Sequence, residues 1–228
     1  MSRRKSLLIQ VKYGGLGDHL FYSHLPRIAK ETGACDRVLI SNYSEYRQAE
    51  YKELIWDLNP FVDGFTDECG LIEPFGELEP GLNLLDKIML RSGLDDGKRF
   101  HEPEVFFDPV APGDLADKSV FDPNFVSFVG EIQPAQIESY FGLNPPDLQM
   151  ALRDRSHWIS GVPFLRSGSL KEFCGIIRSC RKLTCLASGT ATLAAALGKP
   201  ATVLHGMGQN RMFHHSRIHN YVELKGSS

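Results

Sequence analysis

Asp18 is the residue best placed for acid–base work in this 228-residue chain. It follows glycines 14, 15 and 17 in "YGGLGDHL", directly after the apolar run "SLLIQV". Glycines let a backbone turn tightly and let another group come close to it. A carboxylate at the head of a helix is also electrostatically favoured, so Asp18 fits a helix cap as well as a general base. The spacing lacks the Lys-Ser/Thr pair of a Walker loop and is not GxGxxG, so neither of those nucleotide-binding routes applies. His19 has the chemistry to touch a phosphate or an acceptor, and equally suits a surface position at a helix start.

The second candidate stretch is "LASGTATLAAALGKP" near the other end of the chain. A strand ending at Ala187-Ser188, a turn at Gly189 and hydroxyls at Thr190 and Thr192 describe a strand–loop–helix junction. The N–H groups of a first helical turn, Ala191 included, and the helix dipole suit a phosphate or diphosphate. The same residues also make an ordinary capped helix with small side chains for close packing. A third stretch, "HGMGQNRMFHHSRIHNY", gathers four histidines after the last strand-like run. His214 and His215 are adjacent and no carboxylate lies near them, so no metal site is expected there.

These residues need elements to hold them. "SLLIQV" and "DRVLISN" are unbroken apolar runs, the pattern of strands buried on both faces of a parallel sheet. Leu20, Phe21, His24, Leu25 and Ile28 recur at helical spacing, predicting a helix over 17–32 with a kink or restart at Pro26. "EYRQAEYKELIWDLNP" predicts an amphipathic helix ending at Asn59-Pro60, and "LNLLDKIMLRSGL" another. The stretch before 124 is rich in proline and aspartate and reads as a linker, with Asp122-Pro123-Asn124 as a turn. "FVSFVG" (125–130) reads as a strand, followed by a helix with Pro134 in its first turn. In the last third, "SLKEFCGIIRSC" is a helix with Ser169 and Glu172 spaced as a capping box. "KLTCLAS", "GTATLAAALGKP" and "ATVLHG" follow as strand, helix and strand. Trp56 and Trp158 read as core or packing residues.

Composition narrows the classes further. Hydrophobic residues make up 42% and charged residues 23%, with a net charge of -3, so nucleic acid and anionic membrane are not expected as main partners. The five cysteines, at 35, 69, 174, 180 and 185, contain no CxxC pair and fit buried reduced thiols, which suits the cytoplasm. The basic, then apolar start is too short for a signal peptide, and Lys12 interrupts it. No apolar run approaches the roughly 20 residues that span a bilayer. At most peripheral membrane contact is expected.

Taken together, the two glycine-containing junctions resemble glycosyltransferase family 9, the ADP-heptose:lipopolysaccharide heptosyltransferases. "GLGDHLFYSHLPRIAKE" is similar to that family's N-terminal strand, "GD" loop and helix with a Leu-Pro pair. From Ser169 through "RKLTCLASGTATLAAALGKPATVLHG" the chain resembles the C-terminal pattern "DSGxxHLAAALGxPxVxLFG". Alanine stands at 187 in place of the acid, and threonine at 192 in place of the histidine. The resemblance implies an α/β fold of GT-B type: two Rossmann-like parallel-sheet halves with a cleft between them, here with the C-terminal half abbreviated. Residues 1–115 would form the acceptor side and 116–228 the donor side. It implies inverting transfer from a nucleotide-diphosphate sugar to a saccharide or glycolipid hydroxyl, without a metal or other cofactor. Asp18 would be the general base, beside Gly14, Gly15, Gly17 and His19. Ser188 through Thr192 would hold the diphosphate, with Gly130 and Glu131 at the cleft and Asn210 and Arg211 as further donor contacts. Two alternatives stand beside it: a decayed sugar-nucleotide-binding or scaffold protein of the same fold, and a fucosyltransferase of the "GGLGNQLF" class.

Overall fold

Two parallel sheets take up the apolar runs of the chain. The computed structural model describes residues 4–70, 80–209 and 214–225, and the chain divides into two units, Met1–Asp108 and Pro109–Ser228.

In the N-terminal unit, β1 (Arg4–Ile9), β2 (Cys35–Ser41) and β3 (Gly64–Thr66) form a sheet of order β1-β2-β3 with both pairings parallel. Leu7, Ile9, Val38 and Ile40 are buried, as unbroken apolar strands covered on both faces should be. The helix expected over 17–32 is split into α1 (Leu16–Leu20) and α2 (Leu25–Glu31). Pro26 explains the restart: it lacks an N–H and lies in the first turn of α2, where none is needed. The segment expected to form a helix from 45 is shorter. It begins at α3 (Ala49–Lys52) and runs into a π-helical turn over Glu53–Asp57. α4 (Leu84–Arg91) is held by reciprocal caps. Asn83 Oδ1 accepts from the Asp86 N–H at 2.9 Å, and Asp86 Oδ2 accepts from the Asn83 N–H at 3.0 Å.

The C-terminal unit runs β4 (Ser119–Asp122), α5 (Pro134–Phe141), β5 (Leu148–Met150), β6 (Phe164–Leu165), α6 (Leu170–Ser179), β7 (Lys182–Leu186), α7 (Gly189–Ala196), β8 (Ala201–His205) and β9 (Asn220–Glu223). Its strand order is β6-β5-β4-β7-β8-β9, parallel throughout. Numbered from β4 this is 3-2-1-4-5-6, the doubly wound order, which reverses between β4 and β7. The abbreviation lies in strand length and connections. β5 and β6 have three and two residues, and the described residues show no helix between β5 and β6 or between β8 and β9.

Two sequence expectations are corrected in this unit. The strand is not at 125–130 but at 119–122, inside the stretch that read as linker; Asp122 closes it and also starts the expected turn, its Oδ1 accepting the Asn124 N–H two residues on at 3.2 Å. Pro123 offers no N–H to extend the ladder, and Val126 and Phe128 beyond it are exposed. Ser169 does cap α6, accepting from the Glu172 N–H at 3.1 Å. The Glu172 carboxylate, however, turns to the Gly168 N–H at 2.6 Å, so the pair is half a capping box. Phe121, Val129, Ile137, Leu186 and Leu204 pack as one apolar cluster across β4, β7, β8 and α5.

The loops after β4 and β8 are locked back to back. Glu131 N–H donates to Met207 C=O and Gly206 N–H to Val129 C=O, both at 2.8 Å. Gly130 has φ 89°, and a Cβ on Gly130 or Gly206 would collide with the facing backbone. Gly206→Ala should therefore destabilise the protein by about 2 kcal/mol or more. Urea denaturation measures this, and an unchanged midpoint would show the two loops free to part.

Candidate active-site loops

The loop after β1 is organised by the loop after β2. Val11 N–H donates to Ser44 Oγ at 3.1 Å, Glu45 N–H to Val11 C=O at 3.1 Å, and Arg47 N–H to Gly14 C=O at 2.9 Å. A Cβ on Gly14 would lie 2.9 Å from Arg47 N, and one on Gly15 2.6 Å from Asp18 Oδ2. Gly14 is thus required by packing against the Arg47 backbone, while the atom facing Gly15 is the end of the Asp18 side chain. Gly17 lies within α1, where its C=O accepts from the Phe21 N–H at 3.0 Å.

Asp18 takes the capping role that its position suggested. Its Oδ2 accepts the Gly15 N–H at 3.1 Å, closing the start of α1. Burial pushes its carboxyl above the ordinary carboxylate range, while the Gly15 N–H and the Arg47 guanidinium pull it back. A half-buried carboxylate of raised basicity is better matched to proton abstraction than an exposed one.

His19 is neither a surface residue nor a ligand contact. It is fully buried, and Trp56 Nε1–H donates to its Nδ1 at 3.0 Å. Its Nε2 therefore carries the hydrogen and donates to Glu45 C=O at 2.6 Å. The ring stacks on Tyr46 with centroids 4.4 Å apart. With both nitrogens used, the imidazole is a buried link between α1, the loop after β2 and the π-helical turn.

The second junction lies at the switch point of the C-terminal sheet, where open α/β sheets bind ligands. Ser188 caps α7, its Oγ accepting the Thr190 N–H at 3.4 Å. Ser188 and Gly189 are partly exposed, whereas Thr190, Ala191 and Thr192 are buried. The reachable part of the expected donor loop therefore narrows to Ser188 and Gly189. Ala191 C=O is occupied by His219, whose Nε2–H donates to it at 2.7 Å while Nδ1 accepts from the Ala201 N–H at 3.2 Å. Gly130 is used in the contact with Gly206, while Glu131 beside it is exposed. Asn210 and Arg211 lie outside the described residues. Trp158 is 45% exposed, so it is not a core residue.

The residue missed in the sequence is Asp122. Its carboxyl is buried at the end of β4 and reaches across the switch point. Thr190 Oγ1 lies 2.5 Å from Oδ2, and Asn124 donates to Oδ1 from Nδ2 at 2.7 Å and from its N–H at 3.2 Å. Burial raises this carboxyl above its ordinary range, against those bonds and the attraction of Arg153. An acid between an apolar strand and a proline was the available signal, but it reads equally as a turn.

Among the described residues no group of three His, Cys, Asp or Glu is placed to hold a metal. No helix there is long and apolar enough to cross a membrane.

No family model matches this sequence, and no curated protein does. Solved structures do match in fold. The glycosyl transferase family 9 structure from Veillonella parvula DSM 2008 aligns over 97% of this chain and 86% of its own, with TM-score 0.64 and 10% identity. Escherichia coli ADP-heptose lps heptosyltransferase II aligns over 96% and 90%, with TM-score 0.61 and 11% identity. The dodecameric iron-containing heptosyltransferase TibC, in complex with ADP-D-beta-D-heptose, aligns over 97% of this chain at TM-score 0.63 and 15% identity. TibC comes from enterotoxigenic E. coli H10407. This chain spans 64% of it. At these identities the likeness establishes a shared fold.

Burial of neutral imidazoles sets a pH dependence for stability. Burial lowers His19, His214 and His219 to about 4 and His24 to about 3, against an ordinary value near 6.5. The unfolded chain then binds more protons than the folded one as pH falls through this window. Their contribution is complete above about pH 6.5 and is lost progressively towards about pH 4. His19→Gln, whose amide can keep both hydrogen bonds, should flatten the loss by up to about 1.4 kcal/mol per pH unit. Urea titrations at several pH values measure the slope, and an unaltered slope would exclude His19 as a contributor.

Proposed function

We propose that the protein is a glycosyltransferase of GT-B type, transferring a sugar with inversion from a nucleotide-diphosphate sugar to a saccharide or glycolipid hydroxyl. One observation carries this reading. Both strand–loop–helix junctions singled out by their residues lie after parallel strands, in a fold shared with family 9 structures. One of those neighbours was solved with ADP-D-beta-D-heptose bound.

The N-terminal unit would take the acceptor. Asp18 would remove the hydroxyl proton as the oxygen attacks the anomeric carbon and the bond to the diphosphate breaks. Its raised basicity supports that role, and its hydrogen bond from the Gly15 N–H fixes the carboxyl. The C-terminal unit would take the donor. The departing diphosphate would lie against Ser188 and Gly189, where the first N–H groups of α7 and its dipole favour negative charge. Glu131, Asn210 and Arg211 would make further donor contacts. The scheme routes no step through a metal and is consistent with a cytoplasmic enzyme.

Asp122 and Ala187 favour a second reading, a decayed sugar-nucleotide-binding protein. Alanine stands where the family pattern has an acid, and the first turn of α7 already has a carboxyl of its own beside it. Thermal shift with ADP-, UDP-, GDP- and CMP-sugars separates the two once paired with a turnover assay. The enzyme reading expects one nucleotide class to stabilise the protein. It also expects Asp18→Asn to keep that shift while lowering transfer about 10²–10⁴-fold. Binding without turnover in the wild type would favour the decayed protein, and the absence of any shift would remove both.

A further inference from the structure

We propose that Asp122 gates the donor site by charge: a diphosphate seats on the first turn of α7 only while the Asp122 carboxyl is in its acid form. This rests on the donor reading above and adds its regulation.

The geometry makes the coupling direct. Asp122 is buried at the end of β4 and hydrogen-bonds, through Thr190, the turn on which the phosphates would lie. Ionised, Asp122 already supplies the one negative charge that the α7 dipole favours, and a diphosphate would bring a second cluster of charge to the same turn. Neutral, it leaves the dipole and the turn's N–H groups to the ligand. The pair stays bonded in either state: Thr190 Oγ1–H donates to a carboxylate, and a carboxylic acid O–H donates to Thr190 Oγ1. Neutralisation therefore breaks no bond across the switch point.

Burial favours the acid form, while the carboxyl's described partners, a hydroxyl, a side-chain amide and a backbone N–H, favour the ionised form without adding charge. Cys185 faces it from β7 in register, and burial with the nearby carboxyl keeps its thiol well above the ordinary range, hence neutral. From β5, Gln149 stands beside Phe121 and is uncharged. Arg153, beyond β5, is the cation that opposes neutralisation, and it is exposed to solvent. Burial outweighs it, raising the carboxyl above its usual range. Ligand binding above the ionisation of Asp122 then requires uptake of one proton from solvent, which Asp122 holds.

The test measures affinity of the full chain for ADP-glucose, UDP-glucose and GDP-mannose between about pH 5 and about pH 9, where their diphosphate diesters do not titrate. In the wild type the Kd should rise about tenfold per pH unit once Asp122 ionises. Asp122→Asn, which mimics the acid form, should bind with a flat profile. Thr190→Val removes a donor that stabilises the carboxylate, so the rise should begin at higher pH than in the wild type. A flat wild-type profile, or the same slope in Asp122→Asn, overturns the gate and leaves the donor reading standing. If Asp122→Asn does not fold, a Thr190→Val profile identical to wild type overturns it instead. No binding by wild type or variants at any pH overturns the donor reading and the gate together.

Discussion

A buried carboxyl at the reversal of a parallel sheet organises the C-terminal unit. Asp122 ends β4, the strand from which the sheet order runs in both directions, and its partners come from two other places. Thr190 belongs to the helix after β7, and Asn124 belongs to the loop leaving β4. Asn124 passes the constraint on: its Nδ2 donates to Ala151 C=O at 3.1 Å and its Oδ1 accepts from the Arg153 N–H at 2.8 Å. Strand β4, helix α7 and the segment leaving β5 are thus tied through one buried polar cluster. A buried acid costs free energy unless its hydrogen bonds are met, so the sequence at 122, 124 and 190 must be satisfied together.

The N-terminal unit solves a similar problem with a neutral ring. His19 is buried within the first helix and would be costly there without partners for both nitrogens. Trp56 and Glu45 C=O provide them. The consequence for Asp18 is positional. Its neighbour in α1 is fixed from two other segments, and its own carboxyl is fixed by Gly15 N–H, so the carboxylate sits on a rigid turn. A second buried polar cluster holds the start of α4. Asp86 accepts from His101 Nδ1 at 2.6 Å and from the Phe100 and His101 N–H groups at 2.7 and 3.0 Å. Those bonds hold its carboxyl low, at about 2, against the cost of burial.

Legibility in the sequence followed how local each determinant is. β1, β2, β7 and β8 were readable because burial on both faces leaves unbroken apolar runs. α7 and its Ser188 cap were readable because the cap bonds within two residues. The strands β5, β6 and β9 were not, since two to four residues carry too little pattern and their pairing comes from neighbours far away in sequence. β4 was misplaced for a sharper reason. Its terminal Asp-Pro looks like a turn, and a threonine 68 residues away joins Asn124 in making a buried acid tolerable there. The glycines of the first loop were recognised as necessary, but their partners, Arg47 N and Asp18 Oδ2, could not be read from spacing.

The alanine at 187 gains meaning from the same geometry. A strand end facing the first turn of α7 is a place where an acid is held cheaply, because the helix dipole favours it. In this chain that acid comes from β4, one strand over, where Asp122 stands in register with Cys185. Two carboxyls around one buried turn would repel each other, and one of them would be forced into its acid form. A small apolar residue at 187 is compatible with an acid already at 122, which takes its hydrogen bonds from Thr190 and Asn124.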